Sequence, residues 1–246
     1  MKTFAFFLAA LAFSTAGHAA ETTVAVASNF AEPMKAIVAG FEKSSGHTVE
    51  LSTGSTGKFY AQIVNGAPFD VLLAADDETP ARLVAGGQAV AGSAFTYATG
   101  KLALWSAKTA AVSDSADVLR RGDYRFVAIA NPRLAPYGRA AMETLAALRI
   151  ALPPGKIAMG ENIGQTHRFV HSGNAELGFV ALSQVWKDGR FSAGSGCIVP
   201  AGLHAPIRQD AVLLHKGRDN AAATALLAYL RTPAVRALIA RYGYGD

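Results

Sequence analysis

Cysteine is nearly missing from this chain: Cys197 is the only one in 246 residues, which excludes an internal disulfide and any thiolate cluster around a metal. Charge is sparse too, at 17%, and no run of Lys and Arg interleaved with aromatics is present to grip nucleic acid. Beyond residue 20 no apolar run approaches the roughly twenty residues that cross a bilayer. Internal repeats and low-complexity linkers are lacking, so any domain boundary must be crossed by strands rather than a loose tether. What remains is a globular composition, 51% apolar, long enough for two lobes of about 100 residues each. A fold of that size can rely on its core without cross-links.

Residues 1–20 read as a secretory signal. Lys2 supplies the positive start, residues 4–13 an apolar stretch too short to span a membrane, and Gly17-His18-Ala19 a small-residue cleavage site. The mature chain is expected to begin near Ala20 or Glu21. Removing Lys2 takes the formal charge from +5 to +4, a mild positive field that suits an anionic partner.

Strand-length apolar runs alternate with helical periodicity throughout, which predicts βαβ units around mixed, mostly parallel sheets. Strands are expected at residues 23–27, 48–51, 71–75, 101–105, 126–130, 177–182 and 211–214. Helices are expected near 30–41, 58–64, 79–85, 137–148, 164–171, 221–230 and 233–241. Residues 21–97 and 215–246 are assigned to a first lobe and 98–214 to a second.

Four segments share one design, in which a strand ends in a short polar or Gly-rich turn and a helix begins at once. They are Ala27-Ser28-Asn29-Phe30, Gly54-Ser55-Thr56-Gly57, Ala135-Pro136-Tyr137-Gly138 and Asn162-Ile163-Gly164-Gln165. Each helix start leaves backbone N–H groups unpaired at the positive end of the helix dipole, and a Ser, Thr or Asn there adds a hydroxyl or amide. Singly, each is an ordinary N-cap or turn. Aimed at one point, the set could hold a dianion without Lys or Arg.

Other signals are weaker. His167 and His171 stand four apart on a helix, but Arg168 occupies the position where a zinc protease motif needs Glu, and no third ligand is apparent. Tyr242 and Tyr244 could be compared with the paired phenolates of ferric carriers; packing of the tail is the plainer reading. An enzyme is disfavoured. There is no Gly-x-Ser-x-Gly, Gly57-Lys58 is followed by Phe59 and so fails the phosphate-loop pattern, and Cys197 has no base nearby in sequence.

Through Val26-Ala27-Ser28-Asn29-Phe30, Gly54-Ser55-Thr56-Gly57 with residues 60–68, Ala74-Ala75-Asp76, residues 95–102, Asn131-Pro132 with Ala135-Pro136-Tyr137-Gly138, and Leu177-Gly178-Phe179-Val180-Ala181-Leu182, the chain resembles the periplasmic molybdate-binding proteins of ABC importers. The resemblance spans essentially the mature length and implies the two-lobed type II periplasmic binding protein fold. It implies a monomer in the periplasm that carries molybdate or tungstate to a membrane permease, without a cofactor, a directly bound metal ion or nucleic acid. It places the oxyanion on Ser28 and Asn29, on Thr56 with Ser55, and on Tyr137 and Ile163, the last two chiefly through backbone N–H. One branch of the family adds a Tyr hydroxyl from the position that Ala181 occupies here, so this chain resembles the other branch.

A site made only of donors suits a fully deprotonated tetrahedral dianion, whereas phosphate near neutral pH carries a proton that needs an acceptor. Glu32 and Glu161 lie close to the loops in sequence and read as solvated carboxylates. Sulfate fits the same donor logic, and a small periplasmic α/β enzyme is the more distant alternative. Thr56→Ala and Asn29→Ala are each predicted to weaken oxyanion binding by about 1–3 kcal/mol with little change in the ligand-free melt; unchanged affinity in both, by calorimetry, would remove them from the site.

Overall fold

A computed structural model describes residues 19–113 and 117–245; the signal read in residues 1–20 lies almost wholly outside them. The chain runs β1 (Glu21–Ala27), α1 (Ala31–Ser45), β2 (Thr48–Gly54), α2 (Thr56–Val64), β3 (Val71–Leu73), α3 (Glu78–Ala85) and β4 (Phe95–Gly100). It continues through β5 (Leu102–Ser106), α4 (Asp117–Arg121), β6 (Val127–Ala130), α5 (Pro136–Ala147), β7 (Ile157–Gly160), α6 (Ile163–His171) and β8 (Leu177–Ala181). A small hairpin of β9 (Trp186–Lys187) and β10 (Arg190–Phe191) precedes β11 (Ser195–Ile198), β12 (Ile207–Leu213), α7 (Ala221–Leu230) and α8 (Pro233–Arg241).

Two five-stranded sheets result, in the orders β2-β1-β3-β12-β4 and β11-β5-β8-β6-β7. Each, with its helices, forms a lobe. β1 is an interior strand, parallel to both neighbours, and Val24, Ala25 and Val26 are fully buried because both its faces are covered. The parallel bias read from the β–α alternation holds for only half of each sheet. β12 runs antiparallel to β3 and β4, and β5 runs antiparallel to β8 and β11, because these strands carry the chain between lobes instead of closing βαβ units.

The lobe boundaries expected at 97/98 and 214/215 need correction. β4 and β12 both pair within the first sheet, so the second lobe begins at β5 and ends with β11. Sheet membership follows long-range pairing, which a local apolar run does not encode. After β12 the last two helices return to the first lobe, where Leu226, Leu230, Val235 and Ile239 pack with Phe30, Met34 and Phe41. Burying such side chains contributes about 1.5–3 kcal/mol apiece before the entropy cost of ordering them.

Two local features set up the site. In the β12–β4 pairing, Gln209 faces Ala98 and Asp210 faces Thr96, so Tyr97 is the extra residue of a bulge and is turned inward together with Gln209. At the start of α5, Gly138 is pressed against the end of β6, and an ideal Cβ there would collide with the Ala130 carbonyl oxygen. Only glycine lets this helix begin so close to the sheet. Gly138→Ala is therefore predicted to destabilise the fold by about 1–3 kcal/mol through overpacking, to be read from denaturant or thermal unfolding.

Candidate oxyanion site

All the residues selected from the sequence meet in one place. Ser28 and Asn29 after β1, Ser55 and Thr56 at the start of α2, Tyr137 at the start of α5 and Ile163 at the start of α6 line a single small cavity of about 10 Å3, together with Ala27, Gly54, Ala75, Ala135 and Pro136. That is room for about one water, so the walls must part slightly to admit even a compact ion, and a large organic solute is far too big. No Lys, Arg, Asp or Glu lines it. Asn29, Ser55, Thr56, Tyr137 and Ile163 are each at most 3% exposed.

The helix starts supply donors in a definite pattern. On α2, Lys58 N–H donates to the Ser55 hydroxyl at 3.4 Å and Gly57 N–H crosses to the Leu134 carbonyl of the other lobe at 2.9 Å. On α6, Gln165 N–H donates to Asn162 Oδ1 at 2.9 Å and Gly164 N–H to the Ser28 hydroxyl across the cleft at 3.1 Å. Thr56, Tyr137 and Ile163 line the cavity from the first turns of their helices, where backbone N–H groups have no intrahelical acceptor. The Thr56 hydroxyl accepts from Ala75 N–H at 2.9 Å, and that of Ser55 from Lys58, so each keeps its own proton to donate. Dipoles of α2, α5 and α6 add positive potential at the same point.

Behind the cavity lies a closed polar network. Asn29 Nδ2 donates to Gln209 Oε1 at 2.8 Å and to the Tyr244 hydroxyl at 2.9 Å, while Gln209 Nε2 donates to the Tyr137 hydroxyl at 3.0 Å. The Tyr97 hydroxyl lies 2.9 Å from both Gln209 Oε1 and the Ala74 carbonyl and donates its one proton to either. The Tyr137 hydroxyl thus accepts from Gln209 behind the cavity, while its backbone lies in the first turn of α5 at the cavity. Asn29 Oδ1 is buried with no partner. An amide is nearly symmetric in shape, so turning Asn29 and Gln209 over together keeps the network closed and exchanges that oxygen for an NH2 group that an oxyanion can use. Burial pushes the phenols of Tyr97, Tyr137 and Tyr244 above the usual range, so they stay neutral hydroxyls.

Gln209, Tyr97 and Ser183 escaped the sequence reading, and Tyr244 was read only as tail packing, which it does provide. One signal was present for Gln209, a polar residue on the inward phase of β12 beside Ile207 and Ala211. Tyr244 lies 215 residues from Asn29 and had none. Glu161, read as solvated, is exposed but pairs with Lys58 of the other lobe at 2.7 Å, and Arg139 reaches Glu78 at 3.2 Å and Asp76 at 3.5 Å. Burial raises the Asp76 carboxyl, against the Thr79 N–H and Arg139, which lower it. These half-exposed pairs on the cleft rim contribute little individually.

His167 and His171 stack on each other at 5.7 Å, with His167 also stacked on Trp105 at 5.3 Å. Among the described residues no three His, Cys, Asp or Glu side chains gather to hold a metal ion.

Paired α/β lobes that close helix starts around a small uncharged-walled cavity define a solute receptor. A family model described as bacterial extracellular solute-binding protein matches residues 22–245, and the chain belongs to that family. It is 56% identical to the molybdate-binding protein ModA of Azotobacter vinelandii over 94% of this chain and 92% of that one, and 49% identical to its Rhodobacter capsulatus counterpart over 92% and 88%. The solved periplasmic molybdate-binding protein of A. vinelandii superposes with a TM-score of 0.88 at 38% identity, covering 92% of this chain and 99% of that one.

Burial lowers the His167 imidazole to about 4, with the neighbouring charges of His171 and Arg168 adding to the effect. An unfolded His takes its proton near 6.5, so between pH 6.5 and 4 the unfolded chain binds more protons than the folded one. Stability is predicted to fall as pH drops through that window and to lose nothing more from this group below it. His167→Gln should flatten that part of a melting-temperature against pH curve.

Proposed function

We propose that this chain is the receptor of a molybdate importer: it takes up molybdate between its lobes and hands it to the membrane permease of an ABC transporter. The observation that carries the reading is the cavity itself, lined by the beginnings of α2, α5 and α6 and the loop of Ser28 and Asn29, and by no charged side chain. Its support from relatives is that those sharing half of their residues with this chain are molybdate-binding proteins.

The chemistry is binding without turnover. A tetrahedral dianion offers four acceptor oxygens to backbone N–H groups of Thr56, Tyr137 and Ile163, to the loop of Ser28 and Asn29, and to the hydroxyls of Ser55 and Thr56. Four of these residues belong to the first lobe and two to the second, so the anion favours the closed form by its differential affinity for it. Gly57 to Leu134 and Gly164 to Ser28 already join the lobes at the cavity rim and need little further movement to seal it. Tungstate has the same charge and shape and is bound by the same donors. The protein works as a periplasmic monomer after its signal is removed, needs no cofactor and engages no nucleic acid.

Calorimetric titration of residues 21–246 with molybdate, tungstate, sulfate and phosphate at one pH tests this. Molybdate and tungstate are expected to bind one per chain and tighter than sulfate, with no heat from phosphate. Sulfate binding as tightly as molybdate would reassign the cavity.

A further inference from the structure

The end of α8 and the residues after it form a tail that bridges the lobes, touching the second at Asp188, Leu182 and Trp186 and pairing with β4 of the first. Arg241 holds Asp188 through Nε at 2.8 Å and Nη2 at 3.4 Å, and its carbonyl accepts from Asp188 N–H at 3.1 Å. Gly243, with φ +83°, lies so flat against the second lobe that a Cβ would come within 2.9 Å of Leu182 and Trp186. Gly245 then exchanges two backbone hydrogen bonds with Thr99, at 3.0 and 2.9 Å. Between these anchors Tyr244 is driven inward, 5% exposed, with its ring edge-on to Phe30 at 5.4 Å.

Its hydroxyl arrives where the first anion loop meets the second lobe. It accepts from Asn29 Nδ2 at 2.9 Å and lies 3.0 Å from both the Asn29 carbonyl and Ser183 Oγ, to which it can donate. Ser183 in turn donates to the Asn29 carbonyl at 2.9 Å. One ring of hydrogen bonds thus clamps both ends of Asn29, and one member of the ring comes from each lobe and one from the tail.

We propose that Tyr244 is a positioning residue of the oxyanion site: it touches no guest, but fixes Asn29 and ties that loop to Ser183 when the lobes are closed. Losing the hydroxyl leaves Asn29 free to swing and unlinks the loop from the second lobe. The guest should then leave faster, while the ligand-free fold, whose aromatic packing a phenylalanine retains, changes little.

The inference rests on the molybdate reading, and Tyr244→Phe and Ser183→Ala in the mature chain separate the two. With molybdate as probe, each variant is expected to weaken binding about tenfold, the size of one buried hydrogen bond. The loss should fall mainly on the dissociation rate in stopped-flow, and the double variant should be scarcely worse than either single one, because both break the same ring. Wild-type affinity in Tyr244→Phe, fully additive losses, or a lowered ligand-free melting temperature with unchanged affinity would each overturn the positioning role while leaving the receptor reading intact. Absence of molybdate binding by the unaltered protein would remove both.

Discussion

Everything at the centre of this molecule follows from the unpaired N–H groups that every helix must leave at its first turn. Burying such donors without an acceptor costs about 1–3 kcal/mol each. Here α2, α5 and α6 all begin at one buried cavity with no carboxylate in its wall. Part of the demand is met across the cleft, by the Leu134 carbonyl and the Ser28 hydroxyl. The rest is left for a guest rich in acceptor oxygens. A cationic side chain would bind an anion more strongly at long range, but it would not measure shape. Fixed backbone donors do, because they cannot follow a guest of the wrong size.

Rigidity of those donors comes from their setting. Gly138 allows α5 to begin against the sheet, the β4 bulge turns Tyr97 toward Gln209, and Gln209 links Asn29 of one lobe to Tyr137 of the other. Because the tyrosines in this network stay neutral, their hydrogen bonds are not disturbed by pH changes near neutrality. The charged pairs lie outside, on the rim, where solvent screens them. Polar specificity inside and screened charge outside let the lobes meet without placing a competing charge beside the guest.

Most strands and helices were legible because their signals are local. The apolar face of Phe30, Met34, Ile37 and Phe41 marks α1, and the periodicity of 221–230 and 233–241 coincides with the observed α7 and α8. β7 and β11 were missed as separate strands, since short segments at the edges of sheets carry weak alternation. The lobe partition was misplaced for a related reason: β12 looks much the same locally whichever sheet it joins.

The sequence by itself determined the alternation of strands and helices and the four polar helix starts, because backbone preference, capping and periodicity act over a few residues. Only the tertiary structure decided that those starts share one cavity, that Gln209 and Tyr244 stand behind Asn29, and that Ser28 reaches Gly164. These pairs are separated by 136 to 215 residues, and no local pattern records which distant surfaces will bury one another.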